Sequence, residues 1–115
     1  MTASYTKSAD IQGMPLVGRD GVKLGAVREV FVDLATGQIA FIIVEAAGLL
    51  GGSGKFHPMP WATVRHDSVA GAFQAARTKD EFKASPSYDR DQLADSSYAW
   101  PEQARRYFAA DPYAS

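Results

Sequence analysis

Residues 39–46, IAFIIVEA, constrain the fold more than any other stretch of the chain. Read with the period of a strand, Ile39, Phe41 and Ile43 point one way and Ala40, Ile42 and Val44 the other, so both faces are apolar until Glu45. β-branched and aromatic residues at this density favour a strand over a helix. A strand that is apolar on both faces needs cover on both sides. In a small barrel one face is the core, and the other must meet a helix, a tail or another protein.

The flanking segments supply the partners for that strand. Leu16 and Val17 begin a first strand, and Asp20-Gly21 marks a turn. Residues 24–34, LGAVREVFVDL, place Leu24, Ala26, Val30, Val32 and Leu34 on one face and Glu29 and Asp33 on the other, with a lapse in the alternation at Arg28. Ala35-Thr36-Gly37 then closes a hairpin into the apolar strand, with Gly37 placed for a left-handed residue. Residues 56–67, FHPMPWATVRHD, read as extended chain whose prolines put it at a sheet edge or a bulge. A turn at SVAGA leads to a short last strand, AFQAA, over residues 72–76.

Between the apolar strand and Phe56 lies GLLGGSGKF, which invites comparison with a phosphate-binding loop. Such a loop needs a glycine five residues before its Gly-Lys and a hydroxyl residue after the lysine, and it opens into a helix. Here those positions hold Leu49 and Phe56, and Pro58 and Pro60 forbid the helix. The stretch reads as a hairpin connection.

The chain has 115 residues, room for one domain with a modest core. Its 12 basic and 13 acidic residues create no field that favours nucleic acid or an anionic membrane. The absence of cysteine removes disulfides, thiolate metal sites and cysteine nucleophiles. Residues 1–12 are polar and small and read as a loose arm without the apolar stretch of a secretory signal. No run approaches the ~20 apolar residues of a bilayer span, so the expectation is a soluble, cytoplasmic chain.

Beyond the last strand, Thr78 and Glu81 have the spacing of a capping box, with Phe82 facing inward and Pro86 ending the turn. The tail is polar but carries Tyr88, Tyr98, Trp100, Tyr107, Phe108 and Tyr113, an aromatic content that predicts docking. Pro101 suits a helix start, and Trp100, Ala104, Tyr107 and Phe108 then share one face. That helix is a natural lid for an apolar strand face.

Taken in order, residues 16–21 (LVGRDG), the step at Leu24-Gly25-Ala26-Val27, Val32-Asp33 followed by Thr36-Gly37-Gln38-Ile39, the apolar strand, the glycine loop and Pro60-Trp61 resemble the PRC-barrel family. Asp20, Gly21, Gly25, Val27, Asp33, Gly37, Pro60 and Trp61 carry the likeness. The family is named for the cytoplasmic domain of the photosynthetic reaction-centre H subunit, and the same barrel ends the ribosome maturation factor RimM. The resemblance implies a mainly β fold, a five- or six-stranded antiparallel barrel over residues 13–77, with short helical segments of residues 78–115 packed on it. It also implies a docking module with no catalytic residue and no cofactor.

Other chemistry finds little support in the residues. His57 and His66, nine residues apart in extended chain, fall short of a three-ligand zinc site and read as a loop and a strand-end histidine, both solvated. No serine sits in a nucleophile elbow. Glu45 is the odd carboxylate, and pairing around the Gly37 turn sets it across from Arg28. The expected function is therefore a non-enzymatic interaction or assembly module, self-associating or docking on a protein through Ile42, Val44, Leu49 and Leu50. The alternatives are that the Trp100 helix covers that strand face, that the chain binds RNA or the ribosome through Arg105 and Arg106, or that it docks on a membrane protein's cytoplasmic face.

Overall fold

The computed structural model describes residues 5–47, 55–95, 97 and 99–110. Six strands, β1 (Pro15–Val17), β2 (Lys23–Asp33), β3 (Gln38–Ala46), β4 (Phe56–Pro60), β5 (Val64–Asp67) and β6 (Ala72–Ala75), form one sheet in the order β4-β3-β2-β1-β6-β5. Among the described residues four short helices accompany them: α1 (Ser8–Ile11), α2 (Lys79–Ala84), α3 (Arg90–Leu93) and α4 (Trp100–Phe108). The sheet is a half-barrel and it is mixed. The expected all-antiparallel barrel is corrected at one seam, where β1 runs parallel to β6 with Leu16 beside Phe73.

The long β2–β3 hairpin is built by its turn. Asp33 Oδ1 accepts from the Ala35 N–H at 2.8 Å, and Gly37 takes φ +75°, a conformation open to glycine at little cost. The lapse in alternation at Arg28 is a bulge: Val27 pairs with Val44 and Glu29 with Ile43, leaving Arg28 as the extra residue. That insertion puts Val27 and Val30, three apart, on the same face.

A second irregularity sits between Phe31↔Phe41 and Val32↔Ile39, where Ala40 is passed over. It corrects the simple alternation of β3. Phe41 and Ile43 face one way and Ile42 and Val44 the other, but Ile39 packs with the Ile42 side and Ala40 with the Phe41 side. One skipped residue exchanges the faces of everything beyond it.

Each face of β3 has its own core. Ile42 and Val44 join Leu16, Leu24, Val27, Met59, Phe73, Phe82 and Phe108 inside the half-barrel. Phe41 and Ile43 join Phe56, Tyr88, Trp100 and Ala104 on the outside. Helix α4 serves both, with Trp100 and Ala104 in the outer layer and Phe108 in the inner one. The Thr78–Glu81 capping box is present at α2 and delivers Phe82 to the core.

Three further expectations are corrected. Ser8–Ile11 do not form a loose arm but a helical turn that buries Ile11. The extended run over residues 56–67 breaks at a 3-10 turn, Trp61–Thr63, whose Thr63 hydroxyl donates to the Pro60 carbonyl at 2.7 Å. His57 is a buried strand residue of β4, not a solvated loop residue. β4 does lie at a sheet edge, where Pro58 and Pro60 are tolerated, and its first residue exchanges two backbone hydrogen bonds with Tyr88.

Candidate docking surface

The sequence-derived surface divides three ways. Ile42 and Val44 are fully buried in the inner core, so they present nothing to a partner. The reason is their face: they point into the half-barrel, and the opposite face of β3 is the one that needs external cover. Helix α4 of the same chain supplies that cover, with the Trp100 ring edge-on to Phe41 at 5.1 Å. Leu49 and Leu50 lie outside the described residues.

The residues that carry the family likeness are structural. Asp20 Oδ1 accepts from the Val22 N–H at 3.2 Å and its Oδ2 from the Lys79 N–H at 3.3 Å, tying the Gly21 turn to the start of α2. Gly25 lies where a side chain has no room, since a Cβ there meets the Glu45 carbonyl and approaches Val44 Cγ1 to 2.9 Å. Val27 is buried, Asp33 and Gly37 make the hairpin turn, Pro60 leads into the 3-10 turn, and Trp61 packs edge-on against Phe73 at 5.6 Å.

Among the described residues, no three His, Asp or Glu side chains cluster as metal ligands. His57 Nδ1 meets Ser85 Oγ at 2.9 Å, and its ring lies 4.3 Å from that of Phe82. The Ser85 hydroxyl donates to the Phe82 carbonyl at 2.6 Å, so its oxygen accepts from the histidine N–H. Burial pushes the imidazole down to about 4, against a smaller raising effect of the Ser85 backbone. His66 stands exposed on β5, near Phe73. Arg28 Nε and Glu45 Oε1 form the expected cross-strand pair at 2.7 Å. Arg105 spreads over the Phe41 ring at 4.8 Å, and Arg106 is exposed.

A surface that pattern reading missed lies at the far end of the β2–β3 hairpin. β1 is only three residues long and reaches no further along β2 than Ala26, after which Val27 exchanges backbone hydrogen bonds with Gly13 and Met14. Among the described residues no strand pairs with residues 28–33 on the side away from β3. The overhang is apolar: Phe31 is 37% exposed, Val32 50% and Leu34 at the tip 94%. A cleft of about 510 Å³ lies beside its outer face, lined by Phe31, Phe56 and Leu93 with Arg28 and Arg90 among its polar groups. A second, of about 290 Å³, includes Ile39, the cross-strand neighbour of Val32, with Met14, Trp61 and Phe73. The available signal was a length mismatch, a long apolar strand next to a very short one.

Among the described residues no helix is long and apolar enough to cross a membrane. None of the curated proteins matches the chain in sequence. Among solved structures, a putative 16S ribosomal RNA processing protein RimM from Pseudomonas aeruginosa is similar, with a TM-score of 0.48 and 16% identity, over 65% of this chain and 45% of that one. The chain thus spans less than half of that protein. The PRC-barrel domain model matches residues 6–81, from the segment before α1 through the capping box of α2. With that match spanning all six strands of the half-barrel, the chain belongs to the PRC-barrel domain family.

Proposed function

We propose that this chain is a non-enzymatic protein-docking module and that its docking surface is the overhang of the β2–β3 hairpin. The observation that carries the reading is the exposure of Val32 on a β-strand edge that no described strand covers, continued by the exposed Leu34 in the turn at its tip. Apolar side chains on an open edge combine two features that favour association, area to bury and unpaired backbone donors and acceptors. The inner core leaves Ile42 and Val44 no such role, so the surface moves from the centre of β3 to the end of its hairpin.

A photo-activatable residue placed at position 32, with position 69 as control, tests the proposal in the native host. Val69 is also exposed, at 98%, but sits in the short β5–β6 turn. A discrete adduct from position 32 and none from position 69 is expected. Absence of adducts from both, or equal adducts from both, removes the overhang as the docking surface.

A further inference from the structure

We infer that the partner presents an extended strand of its own, apolar at the centre and flanked by lysine or arginine, which adds to the open edge of β2 along residues 29–33; this rests on the docking reading above. Every second peptide unit of a strand directs its N–H and C=O to one side, so an edge is a template for main-chain pairing. Among the described residues, the last backbone hydrogen bonds of β2 on that side are those of Val27 with Gly13 and Met14. From there the strand runs on through Glu29, Val30, Phe31, Val32 and Asp33, an apolar centre between two carboxylates. An added strand sends alternate side chains to opposite faces; a cleft lined by Phe31, Phe56 and Leu93 lies beside the outer face of the overhang, and a second on the neighbouring strand reaches Ile39, the cross-strand neighbour of Val32.

The same pattern argues against a second copy as the occupant. A two-fold antiparallel pairing sets one residue opposite its own copy at the axis. Centred on Phe31, the middle of the regular stretch, it opposes Glu29 to Asp33 twice, and like charges directly across a ladder repel. Centred on Val30, it brings the bulged Arg28 into the ladder, where the regular hydrogen-bond spacing fails, and centred on Val32 it keeps only residues 31–33 of each copy, because β2 ends at Asp33. Cations on a different chain, opposite Glu29 and Asp33, turn both repulsions into attractions. Arg28 is already engaged with Glu45 and leaves those two carboxylates as the charges that set the register.

The test uses the full chain and three capped peptides: Lys-Val-Phe-Val-Lys, the same centre with glutamate at both ends, and the lysine peptide N-methylated at alternate residues. Binding of the first is expected to slow amide exchange across residues 29–33. The glutamate version is expected to bind about fivefold more weakly, the scale of a cross-strand charge pair. N-methylation, which removes the main-chain donors, is expected to abolish binding, and Glu29→Lys to reverse the preference between the two charged peptides. Undiminished binding of the N-methylated peptide, protection confined to another part of the chain, or no effect on residues 29–33 at millimolar peptide each overturns strand addition. If position 32 still yields a protein adduct in that case, docking stands and only its mode is lost; if it yields none, docking falls as well. An adduct of the chain with itself through position 32 overturns the inference of a foreign partner.

Discussion

His57 and Ser85 meet inside the core, Nδ1 to Oγ at 2.9 Å, and the burial of the imidazole there makes folding sensitive to acid. The folded imidazole titrates at about 4, against 6.5 for an unperturbed histidine. Between those values the unfolded chain binds a proton that the folded one does not, so stability rises with pH from about 4 to 6.5 and is complete above it. The difference corresponds to ~3 kcal/mol. Urea unfolding at pH 4.5 and pH 7 checks this, and His57→Phe should remove most of the slope over that interval. A variant with the wild-type slope shows that other groups carry it.

Trp100 closes the outer layer, edge-on to both Phe31 and Phe41 at 5.1 Å, with its indole N–H donating to the Leu93 carbonyl at 2.9 Å. Trp100→Ala is expected to cost about 3–5 kcal/mol, the range for deleting a buried aromatic side chain. Denaturant unfolding measures the loss. A change below ~1 kcal/mol marks α4 as loosely held and the outer face of β3 as open to other occupants.

Gly25 and Gly37 are both glycines of the β2–β3 hairpin, and they resist substitution for different reasons. Gly25→Ala drives a methyl into the Glu45 carbonyl, and overpacking of this kind costs about 1–3 kcal/mol. At Gly37 nothing lies near an added Cβ, but φ of +75° is unfavourable for alanine by about 1–2 kcal/mol. Gly37→Asn separates the two, because asparagine tolerates the left-handed conformation; it should recover most of the loss. Thermal unfolding of the three variants decides.

The Arg28–Glu45 pair is short but half in water, with side-chain exposures of 49% and 26%. Its coupling energy in a double-mutant cycle should be below about 1 kcal/mol and should shrink further in high salt. A coupling several times larger means that the pair holds the bulge in place.

Much of this fold is written locally. The turn at Gly37, the capping box at Thr78 and the inward face of α4 follow from neighbours within a few residues, and all are present. The irregular spot at Arg28 showed as a lapse in alternation, since a bulge adds one residue to the pattern. What escaped pattern reading is non-local. The β1–β6 seam joins segments more than fifty residues apart, and nothing within either strand specifies direction. The skipped Ala40 leaves no mark in a run where every residue is apolar, so Ile39 was assigned to the wrong face. His57 reads as a loop residue because two prolines follow it within three residues, and its burial depends on Phe82 and Ser85 arriving from α2 and its C-terminal cap. The candidate surface was missed for the same reason, because an open edge on β2 is a property of where β1 stops.

The shortness of β1 also bears on the order of folding events. β2, β3 and β4 pair antiparallel in chain order, as do β5 and β6, so each group can assemble through contacts close in sequence. Three residues of β1 are the strand that stitches the two groups together, antiparallel to one and parallel to the other. Closing that stitch requires the longest chain loop in the sheet, and the loop entropy is lost before the contacts form. Leu16, at the centre of the stitch, is thus a residue whose truncation should hasten unfolding far more than it slows folding.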